Sequence, residues 1–422
     1  MKDRFSKTTL RNGVRVISEN IPSVRSVTVG IWVHAGSRDE TPDENGISHF
    51  IEHMFFKRTK TRTALQIAQS LETLGGSINA FTSREHTCFY ARVLHKHLPQ
   101  AMDVLGDILN NSLFTPGDLK KEKQVIMEEI KDVMDTPNDF IHDLFTAQMW
   151  KTSALGQPIM GTLKTVEEMN RRMVLDYIKR NYLGQNIVVA AAGYVSHQKL
   201  VEMVRKLFAW PRNNFSRIEG QPEHNGFSIK AYRHKSQQTQ VCLGFPSISF
   251  VEEDRYPLMA ANTVLSGGMS SRLFQTVREK AGFCYHIYSY QEFFRDTGIF
   301  CVYFGSDSKH TVPATNLVLK ELKKIKKQKL TRTELNQIKE QLKGSLMLSQ
   351  ESTYNRMNRI ARQELMLGQY IDLDETIRCI DRITATQICD VANRIFDNRY
   401  LTCSTLGPIK QKELETINWS KL

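Results

Sequence analysis

An internal repeat constrains the fold of this 422-residue chain more than any other feature. Phe114-Thr115-Pro116-Gly117-Asp118-Leu119 is echoed 216 positions on by Leu330-Thr331-Arg332-Thr333-Glu334-Leu335, each opening a long helix behind a threonine cap. Ile187 to Gly193 is echoed by Leu401 to Gly407 at an offset of 214, and Val27 to Val33 by Thr239 to Phe245 at 212. Three matches in order, at a nearly constant offset, indicate two copies of one folding unit. Length alone asks for two or three domains. The join falls in the stretch Pro211 to Asn225, rich in Pro, Asn, Gly and charge and without periodicity. The expected organisation is a domain over 1–212, a linker over 213–225 and a homologous domain over 226–422.

Within the first half, strand-like alternation marks 14–18, 27–34, 87–94 and 187–192. Helical periodicity marks 49–56, 63–74, 98–111, 118–135 and 166–182. Clustered strands followed by helices predict an α+β class, each half a mainly antiparallel sheet packed with helices.

Several function classes drop out. Hydrophobic residues make up 41% of the chain and charged residues 24%, enough for two cores and too apolar for a disordered chain. The longest apolar run, Ile187 to Val195, is about half of the ~20 residues a membrane-spanning helix needs, so no integral membrane segment is expected. The start, Met1-Lys2-Asp3-Arg4-Phe5-Ser6-Lys7, lacks the apolar core of a secretory signal. Asp3 also interrupts the basic run of a transit peptide. The seven cysteines, an odd number in apolar contexts with no C-x-x-C pair, read as buried free thiols in a reducing compartment. A net charge of +12 invites a nucleic-acid reading. Yet the densest basic stretch, Lys323 to Lys329, closes an amphipathic helix beginning near Pro313, where lysines complement the helix dipole. No aromatic platform interleaves it, so no nucleic-acid partner is expected, only diffuse attraction to acidic partners or membranes.

The chemistry concentrates in His49-Phe50-Ile51-Glu52-His53. On a helix His49 and His53 stand one turn apart with Glu52 on the same side, while Ile47, Phe50, Ile51 and Met54 form the opposite face. Two neutral imidazoles so placed can share one zinc, and the carboxylate can reach a water on the metal. The same string also fits two ordinary helix histidines. A catalytic zinc needs a third protein ligand. Helix 118–135 offers one, because Glu122 and Glu129 fall within the apolar arc of Leu119, Val125, Ile126, Ile130 and Val133, whereas Glu128 points away. Carboxylates on a core-facing stripe are costly unless a cation or donors satisfy them. Glu129 is the candidate ligand and Glu122 a group that orients a ligand or water; a partly exposed helix with hydrated glutamates is the alternative.

With these residues in place the chain resembles the pitrilysin and mitochondrial processing peptidase superfamily, in its short, single-chain processing-peptidase branch. That family carries H-x-x-E-H, the inverzincin order, followed about 75 residues later by a ligand Glu with another Glu seven before it. Here 75 residues separate His53 from Glu129, and Glu122 holds the second position. The likeness spans both halves. In the second half the pentapeptide is absent and Ser345 stands opposite Glu129, so the resemblance implies metal in the first domain only.

The resemblance implies further roles. Gly75 to Ser83 would be an edge strand on which an extended peptide pairs, with the glycines permitting close approach and Asn79, Ala80 and Phe81 flanking the scissile bond. A Gly-Gly turn with Phe81 in the core is the competing reading. Asp139 and Asp143 match an acidic pair that recognises an arginine two residues before the cut, although relatives often carry Glu at the first position. They also suit the N-terminus of a helix after Pro137. Arg278 and Tyr285 match a pair that reaches substrate and the developing oxyanion; a helix-end Arg and a core Tyr fit as well. The short segment Ser266 to Ser271 resembles a catalytic chain rather than a glycine-rich non-catalytic subunit.

The expected protein is therefore a zinc endopeptidase holding one Zn²⁺ per chain through His49, His53 and Glu129, with Glu52 as base. Its substrates would be short or unfolded peptides bound extended between two domains. A homodimer, or pairing with a related non-catalytic chain, is implied by relatives of this length. The start of the chain favours a bacterial cytoplasm over a mitochondrial matrix reached through a removed presequence. The rival is a non-catalytic structural subunit like the family's core proteins in respiratory complexes, which tend to have broken metal motifs.

Overall fold

The computed structural model describes residues 4–208, 210–211 and 222–422. Residues 1–3, 209 and 212–221 lie outside the described residues, the last stretch including most of the expected linker over 213–225. Each half builds a sheet. The first contains β1 (Arg4–Thr9), β2 (Arg15–Asn20), β3 (Ser26–Val33), β4 (Ser77–Thr82), β5 (Thr87–Leu94) and β6 (Ile187–Gly193), in the order β1-β2-β6-β3-β5-β4. The second contains β7 (Ser228–Arg233), β8 (Thr239–Ser247), β9 (Cys284–Phe293), β10 (Gly298–Ser306) and β11 (Thr402–Gly407), in the order β7-β11-β8-β10-β9. All neighbours are antiparallel except β2 with β6 and β7 with β11. The same position of the lone parallel pair in both sheets is the repeat in three dimensions, with β1 added to the first copy.

The helices of the first half are α1 (Ile47–Phe55), α2 (Ala64–Glu72), α3 (Leu98–Asn111), α4 (Pro116–Met134) and α5 (Pro137–Met149), followed by Leu163–Glu168, Arg171–Asn181 and His197–Leu207. One helix was expected over 166–182; two form because the Asn170 side chain accepts from the N–H of Met173 and starts a new helix there. In the second half the basic helix runs Ser308–Lys327, starting earlier than Pro313 because Asp307 caps it through the N–H of Lys309. Pro313 lies inside this helix, past its first turn, where it has no N–H to give to the carbonyl of Lys309. Among the described residues no helix is long and apolar enough to cross a membrane. All seven cysteines are free, six of them buried and Cys379 half-buried.

A single cut at 213–225 does not describe how the chain packs. Asp132–Gly156, with α5, belongs to the compact unit of the second sheet, and Leu348–Tyr370, with helix Thr353–Leu367, to that of the first. The exchange has a local cause. Sheets whose central strands are apolar on both faces need cover on both. One face of the first sheet packs on α1 and α3; on the other, Trp32, Cys88, Val188 and Ala190 pack against Met357, Ile360 and Ala361 of the exchanged helix. In the second sheet, Cys242, Cys301 and Leu406 pack against Ile141, Phe145 and Met149 of α5. A glycine admits each helix: a Cβ on Gly30 would stand 2.8 Å from Met357 Sδ, and one on Gly244 2.8 Å from Phe145 Cζ. Asn225, at the end of the expected linker, binds α5 through its side chain, which donates to Gln148 O at 2.8 Å.

Candidate metal centre

Helix α1 places its two histidines by a short sequence of constraints. Gly46 heads the helix at φ 91°, and a Cβ there would meet Met160 O at 2.5 Å. The buried Glu40 carboxylate then accepts from the N–H of Gly46 (2.7 Å) and of Ser48 (2.9 Å), two donors the helix cannot satisfy itself. Ile47, Phe50, Ile51, Met54 and Phe55 are buried in the first core, which turns His49, Glu52 and His53 to the other side. The imidazole centroids stand 4.5 Å apart.

Helix α4 brings the carboxylates. Leu119, Ile126 and Ile130 anchor it, with Glu122 buried among them at 2% exposure. Val125 was expected in the apolar arc but is half exposed, because it lies roughly 100° around the helix from the centre of the buried stripe. Glu129 sits between, at the margin of the stripe, and Glu128 is solvated and paired with Lys131. Glu129 Oε2 lies 3.9 Å from His49 Nε2 and 3.7 Å from His53 Nε2, and the three ligand atoms fall within 4.8 Å of one another. Ligand atoms sharing one zinc at about 2.1 Å in tetrahedral geometry are about 3.4 Å apart, so the donor set fits that ion with little movement. Among the described residues no other three His, Cys, Asp or Glu side chains bring their ligand atoms together in this way.

The surroundings support the same chemistry. Glu122 Oε1 lies 2.8 Å from His53 Nδ1. A carboxylate only accepts, so Nδ1 carries a hydrogen and Nε2 is the nitrogen turned toward Glu129. Glu122 Oε2 pairs with Lys57 Nζ at 2.6 Å. Burial would lower the pKa of His53, but the Glu122 hydrogen bond and the charges of Glu122, Glu129 and Glu52 outweigh it and raise it. For His49, burial and the neighbouring His53 lower the imidazole to about 3, so it is neutral at pH 7. His49 Nδ1 is buried without a hydrogen-bond partner. Burial raises the Glu52 carboxyl against the lowering effect of the Thr82 hydroxyl, which donates to Glu52 Oε2 at 2.5 Å.

The structure places the remaining expected residues as follows. Strand β4 is an edge of its sheet. Ala80 faces the core that contains α1, together with Ile78, while Phe81 faces the other side and packs edge-on against Trp32 at 5.4 Å. The Asn79 amide oxygen accepts from the N–H of Ala80 at 2.8 Å. The glycines serve the turn out of α2: Gly75 has φ 69°, and a Cβ on Gly76 would meet Val93 Cγ1 at 2.7 Å. Asp139, exposed, and Asp143, half-buried, stand one turn apart on α5 in the second unit. Arg278 and Tyr285 belong to that unit too and meet directly, the guanidinium lying 4.6 Å from the exposed Tyr285 ring across the turn at Gly282.

Sequence reasoning passed over Glu40, Lys57 and Thr82. Lys57 had a signal, being one further turn along the line of His49 and His53. Glu40 and Thr82 act across tertiary contacts and had none.

Comparison with known proteins agrees with the geometry. Residues 15–163 match the family described as insulinase (peptidase family M16), and residues 168–342 match the peptidase M16 inactive domain. A Bacillus subtilis protein described as the uncharacterized zinc protease YmxG is 39% identical over 94% of this chain and 97% of its own. A Streptomyces coelicolor counterpart, the uncharacterized zinc protease SCO5738, is 39% identical over 98% and 91%. Among solved structures, a protease from Helicobacter pylori superposes with a TM-score of 0.90 at 22% identity, covering 96% of this chain and 100% of the other.

Proposed function

We propose, from the premise that this chain belongs to the M16 peptidase family, that it is a zinc-dependent endopeptidase of short or unfolded peptides. The convergence of His49 Nε2, His53 Nε2 and Glu129 Oε2 beside the Glu52 carboxylate carries the reading. Zinc held by those three groups would leave a fourth position open, polarise the scissile carbonyl and lower the pKa of water there. His49 is kept neutral by burial, and Glu122 holds His53 through Nδ1 with Nε2 directed at the metal position, where an ion would displace any proton carried there. Glu52 takes the proton of the attacking water and passes it to the leaving amine, a role suited by a carboxyl raised above its ordinary value.

An extended peptide would pair with the edge strand β4, whose backbone gives binding largely independent of sequence. To Asp139 and Asp143 we assign recognition of an arginine two residues before the cut. To the stacked Arg278 and Tyr285 we assign contact with the peptide and its developing oxyanion. One zinc per chain, a homodimer or a pairing with a related non-catalytic chain, and a bacterial cytoplasm complete the proposal.

The test is metal content of the purified chain alongside cleavage of a quenched peptide carrying Arg two residues before an aromatic. About one zinc per chain, with turnover abolished by chelation and by Glu52→Gln, is expected. No zinc and no cleavage would overturn the reading in favour of a structural subunit.

A further inference from the structure

Glu52 is held by a residue from a different element. Thr82 ends β4, and its Oγ1 donates to Glu52 Oε2 at 2.5 Å across 30 residues of sequence. An ionised carboxylate has only acceptors to offer, and a glutamate side chain turns about three bonds whose freedom must be given up if the group is to be aimed. A threonine is the opposite kind of group, short and stiff at its one side-chain torsion, so its backbone aims its hydroxyl.

That backbone is itself well fixed. Thr82 pairs with Thr87 across β4 and β5, and Thr87 Oγ1 donates to Ala35 O at 3.1 Å. The hairpin closes immediately beyond Thr82, the N–H of Ser83 donating to His86 O at 2.8 Å. The segment leading into α1 docks on the same turn, with Ser37 N donating to Ser83 O and Arg38 N to Arg84 O. The edge strand and the helix bearing Glu52 are thus tied at both ends of the Thr82–Glu52 bond.

We propose that Thr82 is a positioning residue for peptide hydrolysis: its hydroxyl occupies one oxygen of Glu52 and presents the other to the attacking water. This rests on the peptidase reading with Glu52 as base. Thr82 exchanges no proton in the cycle. Its bond to Oε2 persists while Oε1 takes the proton from water and releases it to the amine. The arrangement also ties the strand proposed to pair with substrate to the group that starts the reaction, so strand and base keep one register. Displacing a reacting group by about 1 Å costs up to about a hundredfold in rate.

The test compares Thr82→Val, which keeps the shape and removes the hydroxyl, with Thr82→Ser, which keeps the hydroxyl. In the zinc-loaded protein Thr82→Val should lower kcat by about 10- to 100-fold with KM and zinc content within twofold of the parent. Thr82→Ser should stay within about threefold. Crystal structures of the two zinc-loaded variants give a readout independent of turnover: Glu52 ordered toward position 82 in the serine variant and turned away in the valine variant. Unchanged kcat in Thr82→Val, equal losses in both variants, or loss of zinc in Thr82→Val would each overturn the inference. A parent protein that binds zinc and cleaves no peptide would instead sink the underlying peptidase reading, and this inference with it.

Discussion

Glu122 Oε1 stands 2.8 Å from His53 Nδ1, on the far side of the imidazole from the nitrogen that faces Glu129. A carboxylate behind a ligating imidazole fixes the tautomer and raises ligand basicity, and its loss typically costs 10- to 100-fold in metal affinity. Glu122→Gln should therefore weaken zinc binding by about that factor while leaving the fold intact, as read by competition with a chromogenic chelator. Unchanged affinity would show that the contact is merely structural.

The two histidines give the zinc-free protein a defined pH response. Burial lowers His49 from 6.5 to about 3, so between those pH values the unfolded chain binds a proton that the folded chain refuses. Stability then falls as pH drops below 6.5, by up to about 1.4 kcal/mol per pH unit. His53 has the opposite sign: its raised pKa makes its contribution full below 6.5 and lost as pH rises through the folded value. Urea titrations of the chelated protein against His49→Gln check this. The variant should lose much of the dependence on the acid side, and an unaltered slope would refute the assignment.

The exchanged helices should be as necessary to the opposite sheets as any residue in them. Met357 is fully buried, and Trp32 Nε1 donates to its sulfur at 3.1 Å. Phe145 is likewise fully buried, against the second sheet. Met357→Ala should cost about 2–5 kcal/mol and Phe145→Ala about 3–5 kcal/mol. Hydrogen exchange should locate the loosening in β3 and β6 for the first variant and in β8 and β11 for the second. Loosening confined to the mutated half of the sequence would contradict the exchange.

Replacing the acidic pair tests substrate choice separately from catalysis. Asp143→Asn and Asp139→Asn should lower kcat/KM for a peptide with Arg two residues before the cut by about 10- to 150-fold, the worth of one charge-assisted hydrogen bond. A matched peptide with Gln at that position should be cleaved as before. Equal effects on both peptides would remove these residues from specificity.

The sequence by itself determined a good deal. The duplication is legible because equivalent strands and helices need the same apolar patterns, wherever they finally pack. The pairing of His49 with His53 is legible because both lie on one helix, where spacing alone sets the face. Glu129 could be told from Glu128 on the same geometry, whereas Arg278 and Tyr285 were paired only by resemblance to the family, and no period of their own elements brings them together. Only the tertiary structure decided which sheet each helix covers. Helix Thr353–Leu367 is amphipathic in either unit, and nothing in its periodicity names Gly30 as the space that admits Met357. Nor does any local pattern tie Thr82 to Glu52 or Glu40 to the start of α1. Helical and strand periods report a residue's face within its own element, whereas these bonds depend on how two elements are set against each other.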